Sequence, residues 1–232
     1  MSLVKYGGGI VQMSGSIAGN TFARNRFGNY VRTRTIPVNP NSTRQGHVRT
    51  ALSYLSTQWS SELSPAERIA WATYAAAISM KNRLGESVYL TGFNHFIRSN
   101  VEAAAHGNPV IEAGPSVLTL PEKETAFACT GSVATQLISV NFLEGSDWTL
   151  EVGAIMYVYQ GRPRSATRTF FAGPWQYLGQ VLGIGAPGAQ SPTTMAAMMT
   201  LTLGQLVTCY GRIRRADGRI SEPFTSTFTV AA

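Results

Sequence analysis

The chain has 232 residues, of which 44% are hydrophobic and only 13% charged, with a formal net charge of +7. The apolar content is enough for a core and excludes a chain disordered throughout, while so few charges leave much of the surface neutral and open to cover by partners. No stretch approaches the roughly 20 apolar residues of a membrane span, and the N-terminus lacks the apolar run and cleavage site of a signal peptide, so a soluble product with no encoded export is expected.

The charge is unevenly placed. Lys5, Arg24, Arg26, Arg32, Arg34, Arg44 and Arg49 precede the first acidic residue, Glu62, and carry the whole net charge; beyond them acids and bases cancel. Such asymmetry marks a basic arm that meets an anionic partner, whether nucleic acid, an acidic protein surface or a membrane.

Taken in chain order, residues 7–35 mix Gly and Asn with short β-prone runs, Ile10-Val11, Phe22 to Arg26 and Tyr30 to Thr35, which predicts a small β meander. The turn between the last two runs lies near Phe27-Gly28-Asn29. A three-residue loop would put Arg24, Arg26, Arg32 and Arg34 on one face with Phe22 and Tyr30; a two-residue loop would divide the arginines between the faces. Clustered arginines repel across a strand pair, so the arm is expected to be marginal until it is covered. Ile36-Pro37-Val38-Asn39-Pro40 follows as a stiff extended connector.

Asn41 or Ser42 caps a first predicted helix with Val48, Leu52, Leu55 and Trp59 as its buried face. Ser64-Pro65-Ala66-Glu67 is a capping box that opens a second helix to about Met80, with Trp71, Tyr74, Ala75 and Ile78 as its stripe. After a break at Asn82 to Gly85, Ser87 to Leu90 predicts a short strand. Thr91 caps a third helix carrying Phe93, Ile97, Val101 and Ala104. Residues 109–121 hold three prolines and Gly114 and read as a linker. Beyond Glu122 come short strands: Leu137 to Leu143, Ile155 to Tyr159, Trp175 to Leu182, Met195 to Leu203, Leu206 to Arg214 and Phe224 to Val230, with a hairpin at Asp217-Gly218. Roughly seven strands in about 110 residues predict a β-sandwich.

Residues Leu203 to Tyr210, followed by Arg214 to Pro223, resemble the last two strands of a fibronectin type III domain, although Leu206 stands where that family has its corner tyrosine. The first hundred residues resemble a family of small proteins encoded by phages, prophages and some bacteria. The likeness rests on Gly15-Ser16-Ile17-Ala18-Gly19, Phe22 with Arg24 and Arg26, Gly28 with Tyr30 and Arg32, Asn39-Pro40-Asn41-Ser42 with Gln45, Trp71 with Tyr74-Ala75, and Gly92-Phe93-Asn94 with Phe96-Ile97-Arg98 and Asn100. This resemblance implies a virion or assembly role and carries over no catalytic residues.

The residues offer little catalytic chemistry. His47, His95 and His106 are far apart, and Cys129 and Cys209, 80 residues apart, fit no metal spacing and read as buried free thiols. No serine sits in Gly-x-Ser-x-Gly. Glu122 with Glu124 and Glu144 with Asp147 read as solvated turn residues, and Gly183 to Gly188 as a flexible loop without the strand and helix of a dinucleotide site. No catalytic residue, metal ligand or cofactor is expected.

The arm is the discriminating feature: arginine beside Phe22, Phe27 and Tyr30 suits a protein interface and equally a phosphate backbone with stacked bases. Arg162, Arg164 and Arg168 form a second basic patch, a secondary candidate interface, whereas Arg212, Arg214 and Arg215 read as the outward face of an edge strand.

The expected architecture is α+β: a basic glycine-rich β arm at residues 1–40, a three-helix region at 41–108, a linker at 109–121, and an antiparallel β-sandwich of immunoglobulin or fibronectin III type at 122–232. The expected function is that of a non-enzymatic phage capsid- or tail-associated subunit. It would be made in the bacterial cytoplasm, reside in the virion as part of a multi-copy assembly, and dock on neighbouring subunits through Phe22, Arg24, Arg26, Phe27, Tyr30, Arg32 and Arg34. The alternatives are a nucleic-acid-binding protein that uses the arm on phosphates and a carbohydrate-binding module that uses Trp148 or Trp175 as a stacking platform.

Overall fold

Helices and antiparallel sheets alternate along the chain, with strand the larger share. The computed structural model describes residues 2–25, 28–36, 38–81, 87–168 and 170–232. Contacts divide the chain into two compact units, Met1–Thr43 and Arg44–Ala232.

In the first unit, β1 (Ser2–Leu3), β2 (Gly15–Ile17), β3 (Asn20–Asn25) and β4 (Gly28–Thr33) form one sheet in the order β1-β4-β3-β2. Asn25 pairs with Gly28, Phe22 with Val31 and Thr21 with Arg32. The two-residue register is therefore the one adopted, and because directly opposed residues share a face, it sets Phe22, Arg24 and Val31 on one side and Ala23, Tyr30 and Arg32 on the other. Not one described residue of this unit is buried.

The second unit begins with α1 (Thr43–Thr57), which widens into a π turn at Gln58–Glu62. Its buried residues are Ala51 and Leu55; Val48 and Leu52, expected on the buried face, are 45% and 39% exposed. The core-facing stripe is thus narrower than the apolar spacing suggested. The capping box forms as expected: Ser64 N–H donates to Glu67 Oε2 (2.7 Å), and Glu67 N–H donates to Ser64 Oγ (3.3 Å). It opens α2 (Pro65–Ala77), and Trp71, Tyr74, Ala75 and Ile78 are all buried. The chain reverses through β5 (Ser79–Lys81) and β6 (Ser87–Tyr89), with the break at residues 82–85 outside the described residues.

Thr91 caps α3 (Gly92–Ala105) by accepting from Asn94 N–H (3.3 Å). The expected apolar residues Phe93, Ile97, Val101 and Ala104 are only half-buried, while His95, Phe96, Ser99, Asn100 and Ala103 are buried. The helix is covered on two sides, which a single apolar stripe does not reveal. Asn100 accepts from Ile111 N–H (2.8 Å) and donates to Ile111 C=O (3.0 Å), and Trp71 Nε1 donates to Glu112 C=O (2.7 Å). Residues 109–121 are thereby laced to the helices, and at Gly114 a Cβ would lie 2.6 Å from the Trp71 backbone nitrogen.

Seven strands follow: β7 (Ala128–Gly131), β8 (Leu137–Asn141), β9 (Ile155–Gly161), β10 (Trp175–Leu182), β11 (Thr193–Ala196), β12 (Leu206–Arg214) and β13 (Phe224–Thr229). They make two antiparallel sheets, β10-β9-β12-β13 and β11-β8-β7. The two sheets share one core, to which Cys129, Ile138, Val140 and Met195 contribute from the second and Met156, Val158, Leu178, Val207, Cys209 and Ile213 from the first. β11 stops at Ala196 rather than running to Leu203. The Asp217-Gly218 hairpin is present, closed by Gly218 N–H to Arg215 C=O (3.1 Å).

The strand carrying Arg212 and Arg214 is not at an edge: β12 lies between β9 and β13. Arg214 is 2% exposed and donates to Pro109 C=O (3.1 Å). The outer face of this sheet carries alternate residues Tyr157 and Tyr159 of β9 beside Tyr210 and Arg212 of β12, and all of β9 is buried. Helix α3 covers that face. Arg98 donates to Ile220 C=O and Ser221 C=O (3.1 Å each), His106 stacks on Tyr177 at 3.5 Å, and the Asn108 and Gln180 amides pair reciprocally (2.7 and 3.1 Å).

Candidate functional site

The arm's residues take up positions on a thin sheet open on both faces. Phe22 and Tyr30 are half-buried, but on opposite sides; Arg24 and Arg32 are exposed, also on opposite sides. Arg34 follows β4 and is exposed, its N–H bonded to Gly19 C=O (2.8 Å). Arg26 and Phe27 lie outside the described residues. The sheet therefore presents cationic and apolar groups on each face, and the described arginines do not line up as a single stripe. Leu3 and Ile17 are exposed beside them.

The second basic patch is divided. Arg162 and Arg168 are exposed, whereas Arg164 is buried: its Nη1 donates to Thr208 Oγ1 (2.8 Å), its Nε donates to Arg168 C=O (2.6 Å), and its guanidinium lies 5.1 Å from the Phe171 ring centre. Its backbone pairs with Leu206. Arg164 anchors the loop to β12, so Arg162 and Arg168 alone form the surface there.

A cleft of about 650 Å3 opens where residues 119–125 pass Trp148, Arg215 and Arg219. Its three basic groups, Lys123, Arg215 and Arg219, are each engaged in an ion pair. Glu124, read from sequence as solvated, is buried and accepts from Trp148 Nε1 (2.9 Å) and Ala126 N–H (3.1 Å). Arg215 pairs with Glu151, Arg219 with Asp217 (2.6 Å) and Lys123 with Glu222 (2.7 Å). The Lys123 ammonium holds the Glu222 carboxyl below its ordinary range. Trp148 is buried, so its face is closed to a sugar ring; Trp175 packs edge-on against Tyr210 and Phe171. The loop after β10 is held, with Gly183 N–H bonded to Ala154 C=O (2.8 Å).

Among the described residues, no three His, Cys, Asp or Glu side chains are placed to hold a metal, and no helix is long and apolar enough to cross a membrane. His95 is fully buried against Tyr74, and desolvation together with the nearby Arg98 lowers its pKa to about 4. Cys129 and Cys209 are buried free thiols from opposite sheets; a hydrogen bond with Cys129 and burial push the Cys209 thiol far above its usual range, the opposite of an activated nucleophile. A feature that sequence reasoning missed is the polar interface between α3 and the outer sheet face. Its one sequence signal is the alternation of Tyr157, Tyr159, Arg212 and Arg214 on two long strands.

No family model matches this chain, and no curated protein matches it in sequence. Among solved structures, it is similar to the adhesin domain of Epf from Streptococcus pyogenes, at 13% identity and a TM-score of 0.31, over 49% of this chain and 33% of that one. The chain thus spans about a third of the length of that structure.

Proposed function

We propose that this protein is a non-enzymatic structural subunit of a phage particle, whose N-terminal sheet docks on neighbouring subunits. We read the two facing sheets of the body as an immunoglobulin- or fibronectin-like sandwich. The observation that carries the docking role is a sheet of four short strands in which no described residue is buried. A sheet that buries so little does not offset the entropy of ordering it, and stable cover from a partner supplies what it lacks. Arginine and aromatic groups on both faces suit insertion between protein surfaces, where those residue types are anchors. A single phosphate-tracking stripe, by contrast, would gather Arg24 and Arg32 on one side, and they stand on opposite sides.

Deletion of residues 1–36 tests the reading. The shortened chain is expected to fold and stay in solution, yet to be missing from particles assembled in its presence. Normal incorporation of the truncated subunit would sink the docking role. Tight nucleic-acid binding that falls steeply with salt, and disappears when Arg24 and Arg32 become Ala, would instead assign the arm to phosphates.

A further inference from the structure

The strands of the two-sheet body run between two ends of opposite charge. At one end, where Gly161 of β9 pairs with Trp175 of β10, lie residues 132–136, 162–174, 197–205 and 230–232. They are joined by Val133 N–H to Ala231 C=O (3.0 Å), Ala197 N–H to Gln136 C=O (2.9 Å) and Arg164 N–H to Leu206 C=O (3.0 Å). These segments hold Arg162, Arg164 and Arg168 and no acidic residue. Arg44, at the start of α1, donates to Trp175 C=O and adds a further cation there. At the other end, where Ile155 of β9 meets Leu182 of β10 and Arg214 of β12, lie residues 119–127, 142–154, 183–192 and 214–223. They hold seven of the chain's 12 acidic residues against four basic ones.

The exposed groups at the two ends are complementary. Arg162 and Arg168 stand in solvent to either side of the buried Arg164, which pins the loop, and Phe170 beyond them is 85% exposed. Glu122 and Asp147 line the 650 Å3 cleft at the opposite end, and both are exposed. Among the described residues, none of these four charged groups is in an ion pair, whereas the cleft's own three cations each are. Leu143 also lines the cleft and is exposed, and Leu150, Val152 and Ile184 stand exposed at the same end, on loops joined by Ile184 N–H to Thr149 C=O (3.2 Å). Each end thus combines exposed apolar side chains with charge of one sign.

We propose that the protein binds a second copy of itself head to tail, the arginine loop of one copy, residues 162–170, seated on the acidic cleft of the next. Complementary charge sets this orientation and disfavours loop on loop or cleft on cleft, where like charges would meet. Exposed ion pairs alone contribute little, so burial of Phe170 against the apolar side chains at the cleft end supplies the larger share of the affinity. The contact uses different patches on the two partners, so each copy keeps one loop or one cleft free, and copies add into a ring or a column. It is separate from the arm, and its failure would leave the docking role of the arm untouched.

The test is sedimentation of the full-length protein over a range of concentrations, in low salt and in about 0.5 M sodium chloride, where exposed charges are screened. The expected result is a mass that exceeds one chain, rises with concentration and falls with salt. Changing Arg162 and Arg168 to Glu, or Glu122 and Asp147 to Arg, sets like charges face to face and raises the dissociation constant by about tenfold or more. Phe170→Ser, also at an exposed position, weakens association without any change of charge. Mixing the two charge-reversed proteins restores the association that each lacks alone, because every loop then finds a cleft of opposite sign. A single chain at all concentrations in low salt, association unchanged in the arginine variant or in Phe170→Ser, or no recovery on mixing would each overturn the proposal. Loss in the cleft variant alone would overturn it too, by giving the cleft to the arm.

Discussion

Residues 2–43 and 44–232 are both rich in strand, but the two regions spend their side chains differently. The first has no described buried residue and places Arg24 and Arg32 in solvent on opposite faces of a sheet. The second buries whole strands and even polar groups, among them His95, Asn100 and Arg214, beneath helices. Hydrogen-bonded backbone alone makes a sheet but not a stable one; cover on at least one face separates a body from an arm.

That contrast is open to measurement. Trp71→Ala, which empties a fully buried site between α2 and α3, is expected to cost about 3–5 kcal/mol in denaturant unfolding. A loss under about 1 kcal/mol would mean the helical layer is not part of the cooperative core.

The buried imidazole gives the body a pH dependence that the arm, with no histidine, does not share. The folded-state pKa of His95 lies near 4, below its unfolded value of about 6.5. The unfolded chain therefore binds the extra proton between those values, and stability falls as pH drops. His95 should cost about 2 kcal/mol between pH 7 and 5. His106, also depressed by burial, acts in the same direction. His95→Phe keeps a ring against Tyr74 and should flatten the profile; an unchanged pH slope would show that His95 is accessible to protons in the folded state.

Smaller still, Thr91→Ala removes the α3 cap and is expected to cost about 1 kcal/mol. At the low end, Phe22→Ala in the arm should change the stability of the isolated chain by no more than about 0.5 kcal/mol. A cost comparable to that of Trp71→Ala would break the comparison, because it would give the arm a core of its own.

Local features were the legible ones. The Ser64 capping box, the Trp71, Tyr74, Ala75 and Ile78 stripe, the Thr91 cap and the Asp217-Gly218 turn each depend on residues a few positions apart, and each formed where expected. Long-range cover was not legible. Val48 and Leu52 have helical spacing yet stay 45% and 39% exposed, so spacing alone did not tell which side of α1 would be covered. Asn100 and Arg214 are polar and yet buried, because Ile111 and Pro109 bring backbone partners to them. The arm's facing hung on one turn length, which composition left open and the register decides. For the candidate interface, the residue types were legible but their division between two faces was not, and Arg164 left the second patch because Thr208 and Phe171 lie beneath it.

Gly218 sits at the hairpin tip with φ +89°, and a Cβ there would lie 3.1 Å from Trp71 Cη2. Two independent demands, a left-handed backbone and the clearance of an indole on α2, thus fall on one position. Gly145 and Gly204 are also left-handed, but nothing lies within 4 Å of where their Cβ atoms would be. For anyone grafting an epitope or a fluorescent label onto this chain, the loops at Gly145 and Gly204 are the places to insert, and the 215–219 turn is the one to leave intact, since lengthening it would dislodge the tryptophan at the centre of the helices.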